Sequence, residues 1–330
     1  MIVADVVVDL QYGDCGKGKV TNYLCEKGNY THVIRYNGGC NAGHTIYHNG
    51  QRIITHHIPC GVLHGVRSII GPGCVVYPDQ LFTEIQELED AGIPARRFVR
   101  VANNAHVITR DHIREDGKDS SIGTTKRGNG PAYRDKYGRT GVRASEVESL
   151  REFIVDIYEE IHGANTPVKI LFEGAQGFGL DIDWGDYPFV TSSHCTVGSA
   201  ILNGVPPQSI REVWGVAKMY ETYVGAKKFE GSDPIFGEIR EAGEEFGATT
   251  GRPRQCNWMD WNLLKKAINI NGVTNLVLNK VDVLEEVGQQ KILVDEKVVN
   301  FDSMSLMKEF IKTNMKKGVI TSFSSNKESI

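Results

Sequence analysis

The distribution of apolar residues predicts strands that are buried on both faces. Residues 2–9 are rich in Val and Ile and lack the alternation of a half-exposed strand, which is typical of a strand inside a parallel sheet. Shorter segments of the same character predict further strands at residues 32–36, 67–70, 168–172, 213–217 and 275–278.

Helical periodicity occurs between these strands. It predicts one helix that follows a Gly-rich loop and ends near residue 27, and others at about residues 80–90, 145–162, 260–271 and 303–316. Strands that alternate with helices indicate an α/β fold, with a mostly parallel central sheet flanked by helices. Since the sequence contains no repeat, low-complexity tract or Pro/Ser-rich linker, we expect residues 1–330 to form a single domain.

Four long segments are Gly- and Thr-rich and weakly periodic: residues 11–45, 122–143, 173–198 and 225–254. Loops of this length in a compact domain are usually functional or disordered. These are rich in specific polar residues, and ligands of parallel sheets bind at the carboxyl ends of the strands. We therefore expect them to be active-site loops.

Composition narrows the class of protein. The chain is 40% hydrophobic and 24% charged, with a formal net charge of -4. These values are typical of a globular protein and give no excess of Lys and Arg for nucleic acid or an anionic membrane, so we expect neither as a partner. No apolar segment approaches the roughly 18–20 residues of a membrane span, and the N-terminal segment does not resemble a signal peptide. Seven scattered cysteines without a CxxC pair favour a cytoplasmic location and argue against a zinc site.

The first chemical motif is GDCGKGK at residues 13–19, between the first strand and the first helix. It matches the GxxxxGK part of a P-loop, whose glycines let backbone N–H groups approach phosphate at a helix N-terminus. Val20 stands where a P-loop has the Ser or Thr that holds Mg²⁺, so Asp14 is a candidate metal ligand instead. A plain Gly-rich turn is the alternative interpretation.

Two further motifs accompany this P-loop-like segment. NKVD at residues 279–282 follows a predicted strand and resembles the NKxD element in which a carboxylate pairs with two guanine N–H groups. An exposed charged turn is the alternative. RYNGGCNAGHT at residues 35–45 places three glycines around His44, a candidate general acid, although a lone histidine is more often structural.

Five segments, taken in order, resemble the adenylosuccinate synthetase family. They are QYGDCGKGK, RYNGGCNAGHT, GTTKRGNGPAYRDK, LFEGAQGFGLDIDWGDYPFVTSS and EFGATTGRPR. The similarity extends from residue 3 to about residue 285 and returns at residues 322–325, which resemble the family's terminal guanine-contacting loop. The chain is shorter than most members between residues 139 and 173 and after residue 282, and so resembles a compact form of the family.

The resemblance implies a Mg²⁺-dependent ligase that joins L-aspartate to IMP at the expense of GTP, the first committed step of AMP synthesis from IMP. Asp14 would remove the N1 proton of IMP and bind Mg²⁺ together with the Gly43 carbonyl. The O6 atom would then attack the γ-phosphate and give 6-phosphoryl-IMP. His44 and Lys17 would stabilise the charge of phosphoryl transfer, Gln176 would contact the purine O6 region, and aspartate would displace phosphate from C6.

The same resemblance assigns the ligand contacts. For GTP they are Gly13, Gly16, Lys17, Gly18, Lys19, Gly43, His44, Thr45, Arg254, Lys280, Asp282, Ser322 and Ser324. For IMP they are Asp14, Asn37, Asn41, Ala42, Thr125, Arg139, Gln176 and Thr191. For aspartate they are Thr249, Thr250, Arg252 and Arg254. Arg139 corresponds to an arginine that reaches the IMP phosphate of the neighbouring subunit, which implies a homodimer.

Three positions depart from the family pattern. Cys15 replaces a Glu, Lys126 replaces a Gly, and Pro253 interrupts an Arg run. None of them has a predicted catalytic role, but Pro253 stiffens the loop that must close on aspartate.

Two other functions compete with this interpretation. A phage-type relative aminates dGMP with aspartate, but there a small hydroxyl residue replaces the catalytic Asp, whereas this chain retains Asp14. A regulatory GTPase would have Ser or Thr at position 20 and a DxxG-type switch, and would leave the anion-binding residues without a role.

Overall fold

The computed structural model describes residues 1–48, 50–118, 121–247, 251–326 and 330. The strands within these ranges are β1 (Ile2–Asp9), β2 (His32–Arg35), β3 (His44–His48), β4 (Gln51–Thr55), β5 (Arg67–Ile70), β6 (Val75–Val76), β7 (Val99–Ala102), β8 (His106–Val107), β9 (Ile154–Val155), β10 (Val168–Glu173), β11 (Ile210–Lys218), β12 (Tyr220–Tyr223), β13 (Gln255–Asp260), β14 (Asn275–Asn279), β15 (Lys291–Val294), β16 (Lys297–Asn300) and β17 (Ile320–Phe323).

The α-helices are α1 (Lys17–Gly28), α2 (Pro78–Asp90), α3 (Ala95–Phe98), α4 (Arg110–Asp116), α5 (Asn129–Gly138), α6 (Ile157–His162), α7 (Val197–Ile201), α8 (Ile235–Ala242), α9 (Trp261–Asn271), α10 (Val281–Glu286) and α11 (Met304–Asn314). Short 3₁₀-helices cover Cys60–His64, Ala144–Glu146, Glu148–Phe153, Phe178–Leu180 and Pro207–Ser209.

A nine-stranded sheet forms the centre of the protein. Its strands lie in the order β17, β14, β11, β1, β10, β2, β5, β7 and β9, and every neighbouring pair is parallel. The last six residues of β1 are buried, as the continuous apolar run predicted. The α/β prediction with a mostly parallel central sheet is therefore confirmed.

Helices cover this sheet and share its core. The main apolar cluster joins the central strands to α1, α2, α9 and α11, and a smaller cluster packs α5 against β6. Three smaller sheets surround the large one: β12–β13–β15–β16, the hairpin β3–β4, and the pair β6–β8. Within the described ranges, no helix has both the length and the apolar character needed to cross a membrane.

Most of the predicted strands and helices are present with shifted ends, but the prediction of one helix is wrong. Residues 145–162 form two 3₁₀-helices, the edge strand β9 and only a short α6. The helical pattern is broken because β9 pairs with β7, and because the Asp156 carboxylate then accepts the N–H groups of Tyr158 and Glu159 and starts a new helix.

Two of the expected loops each contain an α-helix that was not predicted. The 122–143 segment includes α5, and the 225–254 segment includes α8. Both helices begin in Gly- or Pro-containing sequence, after Gly128 and Pro234 respectively, which hid their periodicity. The hairpin β3–β4 was not predicted, although the sequence Asn49-Gly50 between two runs of β-formers is a recognised turn signal.

Candidate active site

An open cleft lies beyond the carboxyl ends of the central strands, where ligands of parallel sheets bind. It brings together residues from sequence segments that are far apart. The predicted site residues that line it are Gly13, Asp14, Lys17, Asn41, Ala42, Gly43, His44, Thr125, Gln176, Thr191 and Arg254.

The Gly-rich loop at residues 13–19 is organised around a carboxylate of the protein itself. Asp9, the last residue of β1, accepts hydrogen bonds from the backbone N–H groups of Gln11, Gly13 and Cys15 at 3.1, 3.2 and 3.1 Å. Its Oδ2 also accepts from Lys17 Nζ at 3.0 Å. These three amides are therefore committed to Asp9, whereas the P-loop comparison predicted that the loop amides would face phosphate.

Lys17 connects this loop to the segment that follows β10. Its side chain is buried, and its Nζ also donates to the Gln176 carbonyl at 2.6 Å. Burial alone would lower the pKa of Lys17, but the Asp9 carboxylate raises it above its ordinary value. The lysine is therefore a fixed cation at the edge of the cleft.

Two residues of the cleft have left-handed backbone conformations. Asp14 has φ of 57° and Gln176 has φ of 56°, in a region that non-glycine residues seldom adopt. Gln176 Nε2 donates to Asn41 Oδ1 at 3.2 Å, while its buried Oε1 has no partner among the described residues. Strained conformations and unsatisfied polar atoms concentrate at functional sites.

His44 is held by a buried carboxylate that the sequence analysis missed. Glu173, the last residue of β10, is fully buried and lies 2.5 Å from His44 Nδ1. It also accepts from Arg35 Nη2 at 2.7 Å and from the Cys60 N–H at 2.8 Å. With Nδ1 donating to Glu173, the ring nitrogen left for a ligand is Nε2.

Electrostatic interactions determine the protonation states of Glu173 and His44. Burial would raise the pKa of Glu173, but Arg35 and then His44 hold it at about 2. Burial and the Arg35 guanidinium lower the pKa of His44 to about 4, against the opposing effect of Glu173. The imidazole is therefore neutral near pH 7 in this structure and oriented by an ionised carboxylate.

Arg254 lies beside Asp14 at the other side of the cleft. Its Nε is 3.2 Å from Asp14 Oδ2, and its Nη1 donates to Glu245 Oε2 at 2.6 Å. Asp14 is 41% exposed, whereas the Glu245 side chain is fully buried. The guanidinium thus joins a buried carboxylate to one that ligands can reach.

The residues predicted to contact guanine meet at a neighbouring sheet edge, outside the lining of the cleft. β14 ends at Asn279, whose Nδ2 donates to the Cys15 carbonyl at 2.7 Å. The Ser324 N–H donates to the Leu278 carbonyl at 2.8 Å, and the Val281 N–H donates to the Ser324 carbonyl at 3.3 Å. NKVD and the terminal segment are therefore one connected unit that contacts the Gly-rich loop.

Lys19 and Asp282 complete this second group. Lys19 Nζ donates to Ser324 Oγ at 2.7 Å, and burial lowers the pKa of Lys19 to about 8. Asp282 is exposed in the first turn of α10, and Lys280 Nζ donates to the Gly243 carbonyl at 2.7 Å. An exposed carboxylate between two lysines is available to a ligand with adjacent N–H groups.

Several predicted contacts lie elsewhere. Asn37 is buried and uses its amide to hold Ala175, with hydrogen bonds of 3.1 and 2.8 Å. Arg139 is exposed at the end of α5, and Arg252 lines an adjoining depression beside Pro253 that shares Gly123, Tyr223 and Val224 with the cleft. Gly16, Gly18, Thr45 and Ser322 do not line the cleft. Thr249 and Thr250 lie outside the described residues.

The overlooked residues share a sequence signal. Asp9 and Glu173 are each the acidic last residue of a mostly apolar strand, shortly before a Gly-containing segment. Parallel strands end at the same edge of the sheet, so such acids meet at the ligand-binding edge. Glu245 has no comparable signal, because it follows α8 in a charged segment.

Oxygen ligands for a divalent cation are available in the cleft. Asp14 offers an accessible carboxylate and Gly43 a backbone carbonyl, and both line the same space. Mg²⁺ is commonly held by one or two such ligands together with substrate phosphates. Among the described residues, Asp181, Asp183 and His194 also form a close group, but Asp181 is buried and accepts three backbone N–H groups.

Comparison with known proteins gives one consistent family. A family profile described as adenylosuccinate synthetase matches residues 6–149 and 144–318. Adenylosuccinate synthetase of Xylella fastidiosa is 40% identical over 88% of this chain and 79% of its own length. That of Thermodesulfovibrio yellowstonii is 37% identical over 93% and 83% respectively.

Two solved structures share the fold. Fully ligated adenylosuccinate synthetase from Plasmodium falciparum superposes with a TM-score of 0.80 at 31% identity, over 92% of this chain and 85% of its own. Succinoaminodeoxyadenylate synthetase of cyanophage S-2L, bound to dGMP and dATP, superposes with a TM-score of 0.72 at 23% identity, over 95% and 99%.

Proposed function

The chain belongs to the adenylosuccinate synthetase family, and from this premise we propose how its cleft carries out the family's GTP-dependent ligation of L-aspartate to IMP. The observation that carries the proposal is the convergence of Asp14, Lys17, His44 and Gln176 on one cleft. The chemistry needs a base, a fixed cation, an imidazole that can take up a proton and donate it to phosphate, and a purine contact, and each of these residues supplies one.

Activation of IMP comes first. Asp14 removes the N1 proton, which makes O6 nucleophilic toward the γ-phosphate of GTP, and 6-phosphoryl-IMP results. The exposed part of the Asp14 carboxylate and its strained backbone support this role. Gln176 contacts the purine near O6, supported by its unpartnered Oε1 in the wall of the cleft.

Charge develops on the transferring phosphoryl group and on the leaving GDP. Lys17 is buried, cationic and fixed by Asp9, so it stabilises that charge without reorganising. His44, with Nδ1 engaged by Glu173, presents Nε2 to the phosphates. As negative charge approaches, the imidazole takes up a proton from solvent at Nε2 and donates it in a hydrogen bond to the phosphates, while Glu173 stabilises the imidazolium.

Mg²⁺ would be held by the Asp14 carboxylate and the Gly43 carbonyl, and it would supply neutralisation of phosphate charge when bound. Since Arg254 Nε lies 3.2 Å from Asp14 Oδ2, this guanidinium would share or release the carboxylate when Asp14 acts on IMP and Mg²⁺.

Aspartate then displaces phosphate from C6. The segment that includes Thr249, Thr250 and Arg252 would grip its carboxylates, with Arg254 bridging toward the nucleotides, since a guanidinium fork suits a carboxylate. The position of Arg254 in the wall of the cleft supports this arrangement.

GTP selection belongs to the unit formed by NKVD and the terminal segment, in which Asp282 accepts guanine N–H groups. For IMP, the contacts in the wall of the cleft are Asn41, Ala42, Thr125 and Thr191. Arg139, exposed at the end of α5, would reach the IMP phosphate of a second subunit in a homodimer. Seven free, buried cysteines support a reducing cytoplasm as its location.

The rival functions have less support. The cyanophage enzyme was solved with dGMP and dATP, whereas this chain retains Asp14 and a guanine-type NKVD. A regulatory GTPase would leave the Glu173–His44 pair and the aspartate-binding segment without a role.

The proposal is tested by mixing the purified protein with IMP, aspartate, GTP and Mg²⁺ and following the rise in absorbance of adenylosuccinate. We expect product only when all components are present, and GTP hydrolysis that depends on IMP. Replacing IMP with dGMP, or GTP with ATP, serves as the specificity control. Efficient turnover of dGMP, or GTP hydrolysis without IMP, would contradict the proposal.

A further inference from the structure

The buried carboxylate of Glu245, behind the cleft, contacts two cationic side chains, although one would neutralise its charge. Glu245 is fully buried, and both of its carboxylate oxygens lie 2.8 Å from Lys218 Nζ. It also accepts from the Tyr220 hydroxyl at 2.6 Å and from Arg254 Nη1 at 2.6 Å. Lys218 in turn donates to Thr222 Oγ1 at 2.9 Å.

Lys218 alone balances the charge of Glu245, so the contact with Arg254 is not needed for neutralisation. Its consequence is the orientation of the Arg254 side chain. Burial would raise the pKa of Glu245, but Lys218 and then Arg254 hold it at about 2, so the group stays ionised. With Nη1 fixed on this carboxylate, Arg254 Nε lies 3.2 Å from Asp14 Oδ2, in an ion pair without hydrogen-bond geometry. The buried network therefore fixes the orientation of a side chain that lines the cleft.

Glu245 also lies at the base of the segment predicted to bind aspartate. The Arg254 N–H donates to the Glu245 carbonyl at 2.9 Å, and the Gly247 N–H donates to the Arg252 carbonyl at 2.8 Å. Phe246 and Pro253 form an antiparallel bridge between them. Residues 245 and 254 are thus joined by backbone and by side chain at the point where this loop leaves the body of the protein.

We propose that Glu245 is a positioning residue for the aspartate half of the reaction: it holds the Arg254 guanidinium at the wall of the cleft and closes the base of the aspartate-binding loop. This inference rests on the proposed function. A pre-oriented guanidinium and a closed loop base lower the cost of ordering the site when aspartate binds. Glu245 acts only through Arg254 and the loop, so it contacts no substrate.

Glu245→Gln tests the proposal because it keeps the size of the side chain while removing the charge. An amide can still accept from Lys218, but its NH₂ group cannot accept from Arg254. We expect kcat/KM for aspartate to fall by roughly 10- to 100-fold, the range that a small misplacement of a positioning group can cost. The rise in KM for aspartate should exceed the rise in KM for GTP, which Arg254 is also predicted to contact, and KM for IMP should change least.

Glu245→Asp is the second variant, and it guards against failure to fold. It preserves the charge beside Lys218 but withdraws the carboxylate from Arg254. We expect the same selective loss of aspartate affinity in a protein that unfolds near the wild-type temperature.

Asp5→Asn is the matched control for the loss of a buried carboxylate. Asp5 is also fully buried and accepts from the Tyr30 hydroxyl at 2.6 Å and Arg211 Nε at 3.0 Å, but it does not line the cleft. This variant should lower the unfolding temperature and leave KM for aspartate unchanged.

The outcomes distinguish failure of the proposed function from failure of the inference about Glu245. If wild-type protein makes no product from aspartate, the proposed function fails. If the wild type is active and both Glu245 variants retain its KM for aspartate, or lose affinity equally for all three substrates, then Glu245 has only a structural role and the inference is wrong.

Discussion

Acid should destabilise this protein measurably through one buried histidine. His57 follows β4 and is 1% exposed, and its Nε2 accepts the N–H of Tyr77 at 3.2 Å. Protonation at Nε2 would place an N–H donor opposite the Tyr77 N–H, and the hydrogen bond between them would be lost. Burial, followed by the nearby Arg35 and His56, lowers the pKa of His57 to about 3.

The sign and size of the effect follow from the two protonation states. An unfolded histidine has a pKa of about 6.5, so between that value and about 3 the unfolded chain binds a proton that the native state does not. The free energy of unfolding therefore falls as the pH drops through this window. Between pH 7 and pH 5, one such histidine contributes a loss of about 2 kcal/mol.

The assay is urea unfolding at pH 7 and pH 5 for the wild type and for His57→Gln. Glutamine does not titrate, and its side-chain oxygen can still accept from the Tyr77 N–H. All other titrating groups are common to both proteins, so the acid-induced loss should be about 2 kcal/mol smaller in the variant. Equal losses in the two proteins would refute the argument, because they would mean that His57 takes up its proton equally in both states.

Three predictions concern the reaction. Asp14→Asn should lower turnover by roughly 10²- to 10⁴-fold and leave GTP affinity, measured by calorimetry, largely intact; more than a tenth of wild-type activity would be inconsistent with a base at this position. Asp282→Asn should raise KM for GTP by about ten- to a hundredfold and improve the relative use of XTP, since a buried polar group of guanine loses its partner; unchanged discrimination between GTP and ATP would make NKVD a surface turn. Arg139→Leu should weaken IMP binding with little effect on GTP, and mixing it with Asp14→Asn should restore some activity in hybrid dimers; mixtures that exchange subunits without recovery would exclude the cross-subunit role.

The central sheet could be predicted because its strands carry a local signal. A strand such as β1 is apolar at nearly every position, since parallel strands are covered on both faces. The strands of the outer sheets lack that signal. β16, for example, is mostly exposed, so neither an apolar run nor a clear alternation marks it. Its pairing with β15 is set by tertiary context.

The error at residues 145–162 has a similar cause. Periodicity alone cannot show that Ile154 and Val155 form the edge strand β9, which pairs with β7, or that Asp156 begins a new helix. Both features depend on where the segment lies in the fold. A helical pattern interrupted by two β-branched residues before an Asp was the available warning.

The same difference between local sequence signals and tertiary context applies to the candidate site. Residues with a predicted role, such as Asp14 and His44, lie in local motifs that the sequence displays directly. Their partners are distant in sequence: Glu173 is 129 residues from His44, and Glu245 reaches Lys218 across 27 residues. No spacing rule connects such pairs, because the fold alone brings them together.

Partners outside a motif change how the motif is interpreted. The GDCGKGK segment predicts amides that face a ligand, but Asp9 accepts from two of them, those of Gly13 and Cys15, and from the Lys17 ammonium and the preceding Gln11 amide as well. A loop anchored on an internal carboxylate is already ordered before any nucleotide binds, so phosphate need not provide the energy that shapes it. The lysine is fixed by the same carboxylate. Under the proposed function, binding energy from the nucleotide would then be available to release Asp14 from Arg254, so that its carboxylate could meet substrate and cation.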